Sequence, residues 1–262
     1  MKIDFNVVTN IIKKAARKEL LPRFTLVNGE SKKDGSIVTE ADLSMQNCLQ
    51  QELLSTFPNT VLLSEEMSVI EQENALNSDN PIWCLDPLDG TSNFAGYIPY
   101  FAVSLSLIFK QEVVMGVVYD PIRDECFFAE KNKPSTFNNQ VIEYDYDNLD
   151  IKKAIAIIDF KRLDKKLSTR IVQEQPFASQ RNFGASALDW CWLAIHRGHL
   201  YLHGKQNIWD YSAGNFIFQN SGGHSCTLDG DTMFNCKLEQ RSVVAAVNQN
   251  LLSAWYDWIK QK

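Results

Sequence analysis

The chain has 262 residues, 45% of them hydrophobic and 22% charged, an ordinary globular composition that excludes a disordered, collagenous or small disulfide-framework protein. Lys and Arg number 26 against 32 Asp and Glu, and the resulting net charge of −6 offers no global positive field to a nucleic acid, so an anionic ligand would have to be neutralised locally. No apolar run approaches the roughly 18 residues that span a bilayer, and the N-terminus mixes charge throughout, which predicts a soluble, cytoplasmic protein without a membrane partner.

Val7, Val8, Ile11, Ile12, Ala15 and Leu20 recur at helical spacing and predict an amphipathic first helix that ends before Pro22. A polar loop follows over 28–36, and then Met45, Leu49, Leu53 and Phe57 mark one face of a second helix stopped by Pro58. Short apolar runs at 60–64 and 81–85 are too brief for helices and end in acidic residues, so they read as strands that deliver carboxylates. Strands are predicted at 102–109, 112–119 and 125–129, the first two antiparallel. The polar, turn-rich stretch 131–150 is the candidate boundary between an N-terminal half, about 1–145, and a C-terminal half, about 146–262, of a single domain. Beyond it come a strand at 154–158, helices around 164–175 and 186–196, a strand at 199–203, and a helix from Tyr211 that closes at Ser221, Gly222 and Gly223. Strands at 224–228 and 242–247 and a helix containing Leu251, Trp255 and Ile259 complete a layered α/β fold with mixed sheets. Cys48, Cys84, Cys126, Cys191, Cys226 and Cys236 include no C-x-x-C pair and read as buried reduced thiols.

The segment Trp83-Cys84-Leu85-Asp86-Pro87-Leu88-Asp89-Gly90-Thr91 sets two aspartates around a proline just after an apolar strand. Pro87 fixes its own φ and pushes Asp86 toward an extended conformation, so a rigid turn could aim both carboxylates and the Leu88 carbonyl at one point, or could be an ordinary Asp-rich turn. An all-oxygen donor set of this kind suits Mg²⁺, which keeps several waters and shares its remaining positions between carboxylates and phosphate oxygens. If a helix begins at Gly90 and Thr91, its N–H groups add an anion site beside the cation.

Ser64-Glu65-Glu66 closes another short strand upstream, and Trp209-Asp210-Tyr211-Ser212-Ala213-Gly214 opens a helix far downstream. Together with Trp83 to Phe94 read as W-x-x-D-P-L-D-G-T-x-N-F, Val38-Thr39-Glu40-Ala41-Asp42, Gly116 to Pro121, and Gly184-Ala185-Ser186-Ala187-Leu188, the chain resembles the inositol monophosphatase family over nearly its whole length. The resemblance implies a five-layer αβαβα sandwich of the inositol monophosphatase and fructose-1,6-bisphosphatase type. It also implies a homodimer, and hydrolysis of phosphate monoesters with two or three Mg²⁺ ions and sensitivity to Li⁺.

It further implies roles residue by residue. Glu65, Asp86 and the Leu88 carbonyl would hold a first metal, Asp86 would bridge to a second held by Asp89 and Asp210, and Glu66 would stand behind them or face solvent. Thr91 and Asp42, with Glu65, would orient or deprotonate the attacking water, the final proton acceptor being left open; Asp42, at a helix start after Thr39, could instead cap that helix or form a salt bridge. Paired cations would stabilise the attacking and leaving oxygens of an in-line displacement, with the Gly90 and Thr91 N–H groups adding to them. The substrate, a small phosphorylated metabolite, would lie against Asp89, Gly90, Thr91, Gly184, Ala185, Ser186, His203 and Asp210.

His203 stands seven residues before Asp210, where the inositol phosphatases carry a glutamate that binds a substrate hydroxyl. It could bind a different hydroxyl or be a structural histidine. Lys32 or Lys33 could reach the phosphate or be solvated. Thr91-Ser92-Asn93-Phe94 resembles the inositol phosphatase form, which favours inositol 1-phosphate. The loop Ser31 to Ser36 is closer to the nucleotide and histidinol phosphatases, which keeps 3′-phosphoadenosine 5′-phosphate and histidinol phosphate as alternatives, and fructose 1,6-bisphosphate stays as the substrate of a further related branch. A binding role toward RNA or the transcription machinery is the alternative of another class; the acidic charge and the lack of a basic stripe with interleaved aromatics argue against it.

Overall fold

Asp4 accepts the amide hydrogen of Asn6 and starts helix α1 (Phe5–Glu19), which buries Val8, Ile12, Ala15 and Ala16, with Leu20 at its end, and leaves Val7 to solvent. The computed structural model describes residues 3–24, 30–31, 37–38, 40–143 and 149–261. Within the segment expected to be a loop, β1 (Glu30–Ser31) and β2 (Ile37–Val38) pair antiparallel; Lys32, Lys33 and Thr39 lie outside the described residues. Helix α2 (Glu40–Thr56) buries Met45, Leu49 and Leu53, as their spacing predicted.

Strand β3 (Val61–Ser64) is followed by α3 (Val69–Leu76), a helix the hydrophobic pattern did not announce. Its signal was local: Ser68 and Glu71 form a reciprocal capping box. Then come β4 (Ile82–Asp89), the short α4 (Thr91–Ala95), β5 (Ala102–Phe109), β6 (Glu112–Asp120) and β7 (Glu125–Glu130). The expected boundary stretch begins as sheet: β8 (Thr136–Phe137) and β9 (Gln140–Val141) form a hairpin whose turn residues Asn138 and Asn139 both take positive φ, a conformation asparagine tolerates without glycine. Strands β3 to β9 make one seven-stranded sheet in sequence order, with β3 parallel to β4 and the rest antiparallel.

The second sheet is built from β10 (Ile155–Asp159), β11 (Ser179–Arg181), β12 (Leu200–Gln206), β13 (His224–Cys226) and β14 (Arg241–Ala246), ordered β11-β10-β12-β14-β13. Between these strands run α5 (Lys165–Glu174), α6 (Ser186–Ala194) and α7 (Ile208–Asn220), and α8 (Gln249–Lys260) ends the chain. Helix α7 starts three residues before Tyr211, because Asn207 and Asp210 cap it reciprocally.

Helices α1 and α2 cover one face of the first sheet, α6 and α7 lie between the sheets, and α8 covers the outer face of the second with α5 beside it. The result is an αβαβα sandwich. Strand alternation produces it: Trp83, Leu85, Val103, Leu105 and Leu107 pack toward α1 and α2, while Ile82, Cys84, Ala102 and Ile108 belong to the central core. Ser104 and Ser106 also face the centre, where they bond to the Trp209 carbonyl (3.2 Å) and the Ser212 hydroxyl (2.7 Å) of α7. Helices α6 and α7 approach closely because Gly214 lacks a side chain; a Cβ there would stand 2.7 Å from the Cβ of Trp190. Cys84, Cys126 and Cys191 are buried and the other three cysteines half-buried, all free. Among the described residues no helix is long and apolar enough to cross a membrane.

Candidate active site

The strand ends reveal where chemistry concentrates. Strand β4 is buried along its length, yet its last four residues are Asp86, Pro87, Leu88 and Asp89. Its register against β5 runs Asp86 to Ser104 and then Asp89 to Ala102, so one extra residue bulges out at Pro87-Leu88. Proline has no N–H to lose from the ladder, and a bulge is where a central strand tolerates it. The Leu88 N–H turns back to Asp86 Oδ1 (3.1 Å), which fixes that carboxylate.

Gly90 follows at φ +91°, a left-handed conformation, and a Cβ on it would meet Ala185 Cβ at 3.0 Å and the Tyr100 carbonyl at 3.1 Å. Only glycine satisfies both demands, and the start of α4 is thereby pressed against the start of α6. Asn93 fastens the same junction by donating to the carbonyls of Tyr100 (2.8 Å) and Phe183 (2.7 Å). Asp89 completes it: Oδ1 accepts the Ser186 N–H (3.1 Å) and Oδ2 the Ala187 N–H (2.7 Å), so this carboxylate caps α6 across the gap between the halves of the chain.

A cavity of ≈ 200 Å³ opens at this junction, and its lining includes Glu65, Asp86, Leu88, Asp89, Gly90, Thr91, Gly184, Ala185, Ser186, His203 and Asp210. Residues named for metal and substrate from sequence thus come together from the turn after β3, from β4 and α4, from the start of α6 and the residues before it, and from β12 and α7. Asp42 stands behind the lining, in the first turn of α2; its Oδ2 lies 3.4 Å from Thr91 Oγ1, which also reaches the Leu88 carbonyl at 3.0 Å. Glu66 is half-buried and outside the lining.

The electrostatics are those of crowded carboxylates. Burial, then the charges of Glu65, Asp89, Asp210 and Asp42, push Asp86 far above the ordinary carboxylate range. Burial also lifts Asp89 to about 7, against the pull of the Ala187 and Ser186 N–H groups. Asp210 keeps an edge on the cavity but is otherwise enclosed, and burial followed by the charges of Glu65 and Asp89 raises it as well. Such a cluster either retains protons or takes up cations.

Among the described residues no three His, Cys, Asp or Glu side chains close into a ready-made metal cage. The donors nevertheless fit Mg²⁺, which needs few carboxylates when waters, a backbone carbonyl and a ligand phosphate fill its octahedron. Every candidate donor is oxygen: the carboxylates of Glu65, Asp86, Asp89 and Asp210, and the Leu88 carbonyl.

Sequence reasoning missed part of the opposite wall. Asp159, Arg162, Asn182, Asp189, Lys205, Asn207 and Gln240 also line the cavity. Asp159 ends the apolar strand β10, the same pattern that exposed Glu65 and Asp86, and so was detectable. Asp189 is a buried helix residue, bonded by the Tyr100 hydroxyl (3.0 Å) and raised by burial and by the charge of Asp89; no spacing rule singles it out. His203 lines the cavity, but both ring nitrogens are engaged: Nδ1 accepts the Lys205 N–H (3.2 Å), which leaves the ring hydrogen on Nε2, 3.2 Å from Asp159 Oδ2.

A model of the inositol monophosphatase family matches residues 1–259. An inositol-1-monophosphatase of Caulobacter vibrioides is 31% identical over 220 residues, 82% of this chain and 83% of that protein. The Nus factor SuhB of Haemophilus influenzae is 28% identical over 252 residues, 92% and 91% of the two chains. The crystal structure of the extragenic suppressor protein suhB from Bartonella henselae superposes with a TM-score of 0.86 at 26% identity, covering 98% of each chain.

Proposed function

The chain belongs to the inositol monophosphatase family, and from that premise we propose that it is a Mg²⁺-dependent hydrolase of small phosphate monoesters, one catalytic domain per chain. One observation carries the reading: carboxylates from both halves of the molecule meet in a single cavity beside Thr91, where burial and one another's charges raise Asp86 and Asp210. Glu65, Asp86, the Leu88 carbonyl, Asp89 and Asp210 would hold Mg²⁺, which when bound supplies positive charge to the phosphate and acidifies water.

The remaining work falls to the chain itself. The first N–H groups of α4, at Gly90 and Thr91, lack helical partners and donate to phosphate oxygens as charge builds on them. Thr91 Oγ1 receives a hydrogen bond from the attacking water and directs its own hydrogen toward Asp42, so that α2 orients the nucleophile without touching substrate. Gly184, Ala185 and Ser186 border the alcohol portion of the ester. Asp89, by capping α6, couples the position of that border to the phosphate end.

Inositol 1-phosphate is the reference substrate, from the Thr91 to Phe94 motif and the inositol-1-monophosphatase relative. Fructose 1,6-bisphosphate, histidinol phosphate and 3′-phosphoadenosine 5′-phosphate are the competing esters. Phosphate release from this panel by the purified chain, in Mg²⁺ and in chelator, tests the reading; silence on every ester from folded protein refutes it. The similarity to a Nus factor supports a second reading, binding to RNA or transcription machinery, which pull-down from extract with and without RNase would detect. A homodimer and a cytoplasmic setting are part of the proposal, and light scattering checks the first.

A further inference from the structure

The cavity has two unlike walls. One is acidic and comes from β3, β4 and the start of α7. The other comes from the ends of β10 and β12, where Asp159 and His203 stand opposite each other in register. On this second wall Arg162 and Lys205 line the cavity, both exposed, and neither side chain makes a hydrogen bond or ion pair among the described residues. Arg162 is held there by the backbone. A Cβ on Gly204 would stand 1.6 Å from the Arg162 carbonyl oxygen, so the bare glycine is what lets the 160–162 turn lie against β12.

The neighbouring polar groups are already committed. His203 uses one nitrogen on the Lys205 N–H and the other on Asp159, so no ring atom remains for a substrate hydroxyl. Asp159 is occupied in turn by His203 and by the Lys161 N–H (3.0 Å). What this wall offers a ligand is therefore two cations without a bonded partner, Arg162 and Lys205, with the Asn182 and Gln240 amides and the Asp159 and Asp189 carboxyl groups beside them. The Arg162 charge acts at a distance on Asp159 and Asp210, but a neutral polyol would leave both cations without an anion to bond.

We propose that the ester hydrolysed here carries a second anionic group, a carboxylate or another phosphate, held by Arg162 and Lys205 while its scissile phosphate lies at the acidic wall. This rests on the hydrolase reading and narrows its substrate class. Charge-assisted bonds from guanidinium and ammonium groups to such an anion are strong and geometrically selective, and at a solvent-open wall they are also screened by salt.

The test measures kcat/KM for fructose 1,6-bisphosphate and 2-phosphoglycerate, which distinguish a phosphate from a carboxylate, against inositol 1-phosphate. The expected result is a preference of about tenfold or more for one of the doubly anionic esters at low ionic strength, shrinking as salt is added. The double variant Arg162→Gln/Lys205→Gln should lower that preference about tenfold. Lys165→Gln, an exposed charge on α5 outside the cavity, should leave it unchanged. A wild-type preference for inositol 1-phosphate, or a preference untouched by the double variant, overturns the proposal.

Calorimetric binding of the same three esters in Ca²⁺ separates the two layers of inference. If no ester is hydrolysed, the hydrolase reading fails, yet tighter binding of a doubly anionic ester that is lost in the double variant still supports the second site. Equal binding of all three overturns it.

Discussion

Replacing Asp89 by Asn should make the metal-free protein more stable at pH 8, although it removes a helix cap. The buried Asp89 carboxyl is raised from an ordinary 3.8 to about 7. A group raised in the folded state contributes stability that is complete below its unfolded value and is lost as pH rises through its folded value. The metal-free protein should therefore weaken between about pH 4 and pH 7, by about 4 kcal/mol at roughly 1.4 kcal/mol per pH unit, and stay weak above. Asparagine removes that loss but presents one NH₂ where the Ser186 and Ala187 N–H groups each need an acceptor, a cost of about 1 kcal/mol. The net expectation is a variant about 3 kcal/mol more stable than wild type at pH 8 in chelator, and equal to it or about 1 kcal/mol weaker at pH 4. Adding Mg²⁺ should stabilise the wild type by mass action and the variant far less. Urea unfolding at the two pH values, with and without Mg²⁺, reads all of this. An Asp89→Asn protein no more stable than wild type at pH 8 in chelator would refute the electrostatic account of the cluster.

Three further changes probe other links. Thr91→Ala removes the hydroxyl between Leu88 and Asp42 and should lower kcat about 100-fold while moving the urea midpoint little, since only a part-buried hydrogen bond is lost. Gly214→Ala drives a methyl to 2.7 Å from Trp190 Cβ; overpacking of about 1–3 kcal/mol outweighs about 1 kcal/mol of helix propensity, so the urea midpoint should fall with the m-value unchanged. Gln206→Leu strips the acceptor from the buried Trp190 indole (3.1 Å) and the donor from Tyr201 (2.6 Å), and thermal unfolding should show a loss of about 1–3 kcal/mol.

Much of the site was legible because strand ends are short-range objects. Glu65, Asp86 and Asp89 each close a brief apolar run, and Asp210 opens a helix, so local pattern found them, and the motif resemblance joined them into one set. The second wall was not legible in the same way. Arg162 and Lys205 look like any solvated cations in the chain, and only the register of β10 with β12 and the space at Gly204 bring them to the cavity. His203 shows the same limit. Its position suggested a substrate contact, but its hydrogen bonds depend on Asp159, 44 residues away in sequence, and on a local turn to Lys205. Within the fold, α3 escaped because its apolar face is weak and its exposed Val69 and Ile70 break the pattern, while β8 and β9 escaped because two asparagines did the work expected of glycines.

The most direct test of the central claim is phosphate release by wild type and Asp86→Asn in parallel, with Mg²⁺ and with chelator. The account predicts release by the wild type only in Mg²⁺, and a folded variant slower by about a thousandfold or more. Release that persists in chelator, or a folded Asp86→Asn protein working at the wild-type rate, would contradict it.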